Sequence, residues 1–183
     1  MKRRDCLALM GASSLLLAGC AGVPAATGTG DLGVVVARST GTLAIVNTSQ
    51  RTLLAEVKGL GDLSHASVVF SRDGRYAFVF GRDGALTKVD LLTQRIAGRV
   101  MQAGNSIGGA ISADGRLVVA QNYTPGGIKA FDTTTLEQVA DIPAEYENGK
   151  LSRVVGLVGL PGRRFAYSLF DANAIWITDL SNP

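Results

Sequence analysis

The fold is decided by the stretch His65-Ala-Ser-Val-Val-Phe-Ser-Arg-Asp-Gly-Arg-Tyr-Ala-Phe-Val-Phe-Gly-Arg-Asp-Gly-Ala-Leu-Thr-Lys-Val-Asp90, in which short apolar runs alternate with Asp-Gly pairs. Apolar and β-branched runs bounded by turn residues are typical of short β-strands. The stretch therefore predicts three consecutive antiparallel strands. The only histidine of the chain stands at the start of the first one.

Features of this stretch recur along the chain. Ser71-Arg-Asp-Gly-Arg75 returns as Ser112-Ala-Asp-Gly-Arg116 and, less faithfully, as Leu160-Pro-Gly-Arg163. A second marker closes each third strand, at 46–47, 89–90, 131–132 and 178–179. A period of about 40 to 50 residues is typical of one four-stranded propeller blade. The sequence thus predicts an all-β fold, a β-propeller with repeats that start near 32, 65, 107 and 154.

The predicted propeller domain, residues 32–183, contains about four blades at this period. Closed propellers have about four to eight blades, so two interpretations are open. The domain is either a small four-bladed ring or the N-terminal half of a larger propeller. Because the last repeat has no fourth strand before Pro183, we favour the second interpretation.

The N-terminus predicts an export signal, residues 1–19. A basic start at Lys2-Arg-Arg4 precedes an apolar segment, residues 7–18. Leu17-Ala-Gly-Cys20 resembles a bacterial lipobox, which implies cleavage before Cys20 and lipidation of its thiol. We therefore expect a periplasmic lipoprotein that is anchored to the membrane through this lipid. An ordinary secretory signal with a chance cysteine is the alternative, and Sec or Tat export is left open.

Cysteine usage and charge exclude several classes of site. Cys6 and Cys20 are the only cysteines, so the mature domain is expected to have no disulfide and no cysteine-based metal site. The formal net charge is +3, and residues 2–5 carry two of these charges. The remaining lysines and arginines are scattered, which argues against nucleic acid as a partner.

Residues 20–31 are rich in Gly, Ala and Thr and predict a flexible tether. Gly28-Thr-Gly-Asp-Leu-Gly33 overlaps its end and matches the dinucleotide pattern G-x-G-x-x-G. That pattern requires a strand before it and a helix after it. Here a tether precedes it and the strand-like Val34-Val-Val-Ala37 follows, so we do not expect a nicotinamide cofactor.

The Asp-Gly pairs have a structural explanation. We predict that Asp73-Gly74, Asp83-Gly84 and Asp114-Gly115 form two-residue hairpin turns with positive φ, which glycine adopts without a Cβ penalty. They are therefore expected to connect strands and to take no part in chemistry.

The combination of these motifs resembles the haem d1 propeller of the d1-type nitrite reductases, and more closely the NirF-type biosynthesis proteins of that family. The resemblance starts from His65 to Asp90 and covers nearly all of the chain after the tether. It continues through Gly104-Asn-Ser-Ile107, Tyr123-Thr-Pro125, Phe131-Asp-Thr-Thr-Thr-Leu-Glu137 and Arg153-Val-Val-Gly156. It implies an eight-bladed propeller with an iron tetrapyrrole, haem d1 or a precursor, over its central channel.

The resemblance also implies a set of site residues. His65 matches the axial iron ligand of the reductases, and an imidazole suits iron; a hydrogen-bonded structural histidine is the alternative. Arg82 and Arg153 match arginines that bind carboxylates of the macrocycle. The alternative for each is a solvated loop arginine that binds no ligand. Ser106 and Tyr123 match hydroxyl groups near the macrocycle. Two arginines of the reductases are replaced here, by Val68 and by Asn105, which lies in the same expected binding region.

These departures favour a function in the synthesis of haem d1 over a function in nitrite reduction. No Cys-x-x-Cys-His motif is present for a covalently attached electron-donor haem. The resemblance thus implies haem d1 biosynthesis for denitrification, with His65 as axial ligand or general acid/base on a late iron-tetrapyrrole intermediate. Expected partners are other haem d1 biosynthesis proteins and the d1-haem nitrite reductase. A non-catalytic tetrapyrrole carrier and a ligand-free propeller scaffold are the alternatives.

Overall fold

The computed structural model of the chain describes residues 28–182. The predicted signal peptide, the predicted lipidation site Cys20 and most of the predicted tether lie outside the described residues. Residues 29–31, at the end of that tether, form a single 3-10 turn.

Four antiparallel sheets of three or four strands, which we call blades, follow one another along the described part of the chain, and a two-stranded sheet lies between the third and the fourth. Blade 1 consists of β1 (Leu32–Ala37), β2 (Thr42–Asn47) and β3 (Thr52–Val57). Blade 2 consists of β4 (Ser67–Phe70), β5 (Tyr76–Phe80), β6 (Ala85–Asp90) and β7 (Arg95–Met101). Blade 3 consists of β8 (Asn105–Ile111), β9 (Leu117–Thr124), β10 (Ile128–Asp132) and β11 (Gln138–Ile142). A small hairpin, β12 (Glu145–Glu147) and β13 (Lys150–Leu151), precedes blade 4, which consists of β14 (Val154–Gly159), β15 (Arg164–Leu169) and β16 (Ala174–Asp179).

The strands pair in sequence order within each sheet, which is the meander of a propeller blade. The prediction of an all-β propeller with four-stranded blades is therefore confirmed. Blade 1 contains the equivalents of the second to fourth strands of blade 2, because Asn47 and Asp90 occupy matching positions at the ends of β2 and β6. Blade 4 contains the equivalents of the first three strands.

The core consists of apolar layers between successive blades. Because side chains alternate along a strand, β5 sends Ala77 and Val79 toward blade 1 and sends Phe78 and Phe80 toward blade 3. These residues are at most 1% exposed. A third layer, which contains Phe165, joins blades 3 and 4. Burial on both faces explains why these strands are nearly continuous apolar runs.

The Asp-Gly pairs lie in longer loops than predicted. In the loop between β4 and β5, Gly74 N donates to Ser71 O at 2.9 Å, and Asp73 Oδ1 accepts from Arg75 N at 3.1 Å. The expected positive φ is confirmed at Gly74, with +68°. The two-residue hairpin is wrong, because the side chain of Asp73 closes a turn of its own and the aspartate keeps a negative φ.

The second repeat marker is explained by the same chemistry. Asp90 Oδ1 accepts from Leu92 N at 3.0 Å and from Thr93 N at 3.1 Å. Asp132 Oδ1 accepts in the same way from the loop after β10. An aspartate that ends the third strand thus satisfies the backbone of the loop that starts the fourth.

The G-x-G-x-x-G match differs from a dinucleotide site in its local structure. Its last two residues, Leu32 and Gly33, already belong to β1, where the dinucleotide fingerprint has a helix. A strand does not present a helix N-terminus to a pyrophosphate. Within residues 28–182, we find no helix with the length and apolar character needed to cross a membrane.

Candidate functional site

Five of the predicted site residues lie at the same end of the blades. His65 precedes β4, Arg82 lies between β5 and β6, Asn105 begins β8, Tyr123 lies near the end of β9, and Arg153 precedes β14. Because neighbouring strands are antiparallel, these positions all fall on one edge of the sheets. We call this edge the cavity end, and the opposite edge, with the Ser-x-Asp-Gly-Arg loops, the turn end.

A cavity of about 240 Å³ lies at the cavity end between blades 2 and 3. It is lined by His65, Arg82, Asn105, Ile107 and Tyr123. The structure therefore brings four of the six predicted site residues together. Ile107, which the sequence reading did not single out, supplies the apolar part of the lining.

Two irregularities in the pairing of β8 and β9 accompany this lining. Asn105 pairs with Thr124 and Ser106 pairs with Asn122, so Tyr123 is an extra residue between them. Ile107 is likewise an extra residue on β8. Bulges redirect side chains and occur often next to functional sites. The bulges therefore explain why Tyr123 and Ile107 both reach the cavity.

Ser106 is placed elsewhere. Its side chain is fully buried, and its hydroxyl donates to Gln121 O at 2.9 Å. The hydroxyl is thus occupied by the backbone of β9 and does not line the cavity. Contact between Ser106 and a bound macrocycle stays a prediction, based on the resemblance alone.

The loop that carries His65 is linked to the loop that carries Arg82. Asp62 O accepts from Arg82 N at 2.8 Å, and Asp62 Oδ1 accepts from Ser64 N at 2.8 Å. Hydrogen bonds from Ser64 lower the pKa of the Asp62 carboxyl. His65 and Arg82 are themselves exposed. The imidazole and the guanidinium both line the cavity and are open to a ligand.

The side-chain oxygen of Asn105 is buried and has no hydrogen-bond partner among the described residues. A buried acceptor without a donor is costly, and native structures rarely leave one. Because Asn105 lines the cavity, a donor on a ligand or a water molecule would satisfy it. The cavity therefore presents an imidazole, a guanidinium, an amide and a phenol.

Arg153 lies beside this cavity, and its guanidinium forms hydrogen bonds with Tyr123 and Asp171. Its Nη1 donates to Tyr123 Oη at 2.7 Å, and its Nε donates to Asp171 at 3.0 Å. Its guanidinium also lies 5.0 Å from the centre of the Tyr123 ring and 4.3 Å from that of Phe170. The pair with Asp171 raises the pKa of Arg153 and lowers the pKa of Asp171 to about 2. The sequence reading missed Asp171 and Phe170.

A larger cavity, about 370 Å³, lies at the turn end between blades 2 and 3. Lys88 lines it and is 7% exposed. Its ammonium donates to Thr134 O at 3.1 Å and lies 4.2 Å from the centre of the Tyr76 ring. These contacts join the two blades, and burial lowers the pKa of Lys88. Size alone would favour this cavity, but its cation is already used in blade packing.

No three side chains of His, Cys, Asp or Glu come together as a metal site in the part of the chain that the structure describes. A single imidazole is sufficient as a protein ligand where a macrocycle provides the other four donors. His65 is the histidine that stands at the cavity.

Comparison with known proteins finds two NirF proteins that are similar to this chain. The chain is 62% identical over 168 residues to Protein NirF of Pseudomonas aeruginosa and 60% identical over 168 residues to Protein NirF of Stutzerimonas stutzeri. Each alignment covers 91% of this chain and 43% of the relative. The chain therefore spans less than half the length of these relatives.

Two further matches, one of them a solved structure, are described as dihydro-heme d1 dehydrogenases. The dihydro-heme d1 dehydrogenase of Pseudomonas aeruginosa is 34% identical over 119 residues, which are 64% of this chain and 24% of that protein. The structure of dihydro-heme d1 dehydrogenase NirN in complex with DHE matches with a TM-score of 0.74 and 29% identity. That match covers 83% of this chain and 33% of the solved one.

The family model of the cytochrome D1 heme domain matches residues 27–183, which include all of the described residues. The four-stranded sheets and the relatives agree with this match. The chain belongs to the cytochrome D1 heme domain family.

Proposed function

We propose that this chain is part of a haem d1 biosynthesis protein that binds a late iron-tetrapyrrole intermediate at the cavity end and modifies it. The observation that carries the proposal is the convergence of His65, Arg82, Asn105 and Tyr123 on one cavity. The chain's likeness to Protein NirF and to a dihydro-heme d1 dehydrogenase supports the same assignment.

The residues at the cavity fit an iron tetrapyrrole. His65 offers an exposed imidazole as a single axial ligand, and Arg82 offers a cation for a peripheral carboxylate. The side-chain oxygen of Asn105 has no donor within residues 28–182, so it could accept a hydrogen bond from a ligand. The cavity, at about 240 Å³, is below the usual pocket range of about 300 to 1,000 Å³, so only part of a macrocycle would enter it.

Each side chain would have a separate task. His65 would bind the iron or hold a proton at its free ring nitrogen, and Arg82 would orient the macrocycle through a carboxylate. Tyr123 would donate a hydrogen bond from its hydroxyl, and Ile107 would exclude water from one side. The bound group itself would supply a redox-active iron and a conjugated ring.

A carrier that delivers the tetrapyrrole to the d1-haem nitrite reductase or to another biosynthesis protein is the second candidate. It is favoured by the exposure of His65 and Arg82, since an open site allows release. A ligand-free scaffold is the third candidate.

One experiment separates these candidates. Full-length protein is mixed with dihydro-haem d1, and both the absorption spectrum and the mass of the tetrapyrrole are followed with an electron acceptor present. A shifted spectrum with a mass change supports the enzyme, and a shifted spectrum without one supports the carrier. An unchanged spectrum would contradict both tetrapyrrole functions.

We also propose that the protein is exported and lipidated at Cys20, since the lipobox-like Leu17-Ala-Gly-Cys20 supports this processing. Mass spectrometry of the mature N-terminus is the test. Diacylglyceryl-modified Cys20 as first residue is the expected result, and a Cys20→Ala variant should remain unprocessed. An unmodified N-terminus at any other residue would contradict the proposal.

A further inference from the structure

We propose that Asp171 is a positioning residue of the tetrapyrrole site. It holds Arg153 against Tyr123, so that the Tyr123 hydroxyl donates its proton to an oxygen acceptor at the edge of the bound ligand. This inference rests on the proposed function and adds to it a residue that acts through two others.

Asp171 accepts hydrogen bonds from three nitrogen atoms of Arg153. Asp171 Oδ2 accepts from the backbone N of Arg153 at 2.9 Å and from Nε at 3.0 Å, and Oδ1 accepts from Nη2. The two side chains are 28% and 35% exposed, so the ion pair is partly shielded from water. A carboxylate that binds both the backbone and the fork of an arginine fixes the plane of the guanidinium.

The hydrogen bonds to Asp171 determine which N–H groups of Arg153 remain open to a ligand. The guanidinium has five N–H groups and no acceptor. Two N–H groups point to Asp171, and one on Nη1 points to Tyr123 Oη at 2.7 Å. The Nε–Nη2 edge is thus closed to a ligand carboxylate. Arg153 was predicted from the resemblance to bind the ligand directly, but its geometry suits support of Tyr123.

The hydrogen bond from Arg153 also determines the direction in which the Tyr123 hydroxyl can donate its proton. Because Arg153 is the donor, Tyr123 Oη is the acceptor, and the proton of the hydroxyl must point elsewhere. Within residues 28–182, no acceptor is found for this proton. Tyr123 lines the cavity with His65 and Arg82. The free O–H is therefore available to an acceptor that occupies the cavity.

Stacking supports the same arrangement. The guanidinium of Arg153 lies 4.3 Å from the centre of the Phe170 ring, and Phe170 is directly followed by Asp171 in the loop between β15 and β16. Phe170 is 58% exposed, so the stacked arginine covers apolar surface that is otherwise open to water. The loop of blade 4 thus supplies both the carboxylate and the ring that orient Arg153.

The test is a double-mutant cycle on probe binding. Full-length wild type, Asp171→Asn, Tyr123→Phe and the double variant are titrated with ferric haem d1, and the dissociation constant is read from the absorption spectrum. We expect each single variant to bind about tenfold more weakly, the usual effect of losing one hydrogen bond to a charged or polar partner. The double variant should bind as weakly as Tyr123→Phe and no more weakly.

Controls distinguish positioning from general damage. Asp141→Asn removes the carboxylate of another ion pair, with Lys129 on the outer strands of blade 3, and should bind like wild type. Asp171→Glu keeps a carboxylate and should recover part of the affinity. Full binding by Asp171→Asn, or an equal further loss in the Tyr123→Phe background, would overturn the inference. Absence of binding by wild type would overturn the proposed function instead, since the cycle compares variants of a binding protein.

Discussion

The side-chain amides of Gln102 and Asn122 exchange two hydrogen bonds, with Nε2 to Oδ1 at 2.9 Å and Nδ2 to Oε1 at 3.0 Å. Both side chains are buried. Asn122 precedes Tyr123 on β9, and Gln102 lies in the connection that leads to Asn105 on β8. The pair therefore joins the two segments from which Tyr123 and Asn105 reach the cavity.

Breaking this amide pair should destabilise the protein. In Asn122→Ala, the amide of Gln102 stays buried without its partner, which costs about 1 to 3 kcal/mol. Thermal melts of the full-length protein should show a clear drop in Tm. The double variant with Gln102→Ala should lose less than the two single losses combined, because no orphaned amide remains.

Gln138→Ala is the matched control, since Gln138 is exposed on β11. It should melt like wild type. Additive losses in the double variant, within about 0.5 kcal/mol, would show that the two amides do not act as a pair.

Close packing between blades 2 and 3 depends on Gly109. A Cβ at this position would lie 2.1 Å from Phe80 Cζ and 2.3 Å from the carbonyl oxygen of Val119. We expect Gly109→Ala to lower the free energy of unfolding by about 1 to 3 kcal/mol, the usual cost of overpacking. Gly30→Ala, where a Cβ meets open space, should leave the melting temperature nearly unchanged. Equal melting of the two variants would contradict this packing.

The blades were predictable because each repeats the same local chemistry. Asp90 and Asp132 cap the following loops with their carboxylates, so the spacing of these residues reports the length of a blade. The turn type was not predictable from the Asp-Gly pair alone. The side chain of Asp73 binds Arg75 N and Ser71 Oγ, and this network produces a longer loop.

The ion pair between Asp171 and Arg153 predicts that the free energy of unfolding decreases at acidic pH. The folded pKa of Asp171 is lowered to about 2 from an ordinary 3.8 by hydrogen bonds from Arg153. The pair therefore stabilises the fold fully above pH 3.8, and this stabilisation is lost as the pH falls through about 2. Wild type should lose more Tm than Asp171→Asn over this range.

Tyr123→Phe is the control for this pH dependence, because it leaves the ion pair intact and should keep the wild-type slope. Parallel curves for wild type and Asp171→Asn between pH 4 and pH 2 would show that the pair contributes nothing to stability.

Arg82 should contribute to ligand affinity through its charge. It is exposed at the cavity, so its interaction with a peripheral carboxylate would be screened by salt. We expect Arg82→Gln to weaken ferric haem d1 binding about threefold to tenfold at low salt and less at high salt. Arg116→Gln, an exposed arginine of the turn end, should have no effect. Equal effects of the two substitutions would indicate nonspecific attraction.

The candidate site was predictable only where the resemblance pointed to single residues. His65, Arg82, Asn105 and Tyr123 meet at the cavity, because equivalent ends of antiparallel strands share one edge. The bulges at Ile107 and Tyr123 depend on the pairing of two strands and leave no local signal.

Asp171 had a weak signal that the sequence reading did not use. Its loop, 170–173, occupies the place in blade 4 that the loop of Arg82, 81–84, occupies in blade 2. Alignment of the repeats by strand order would have placed Asp171 at the cavity end. Its ion pair with Arg153 joins the loop after β15 to the residue before β14, and this contact could be seen only in the structure.

Chemical rescue at His65 tests whether this histidine binds the iron of the tetrapyrrole. Full-length His65→Gly is titrated with ferric haem d1 in the absence and presence of free imidazole, and the absorption spectrum is compared with that of wild type. If the imidazole of His65 ligates the iron, the variant spectrum should be shifted, and added imidazole should restore the wild-type bands. A variant that binds the probe with the wild-type spectrum before imidazole is added would contradict the assignment of His65 to the bound tetrapyrrole.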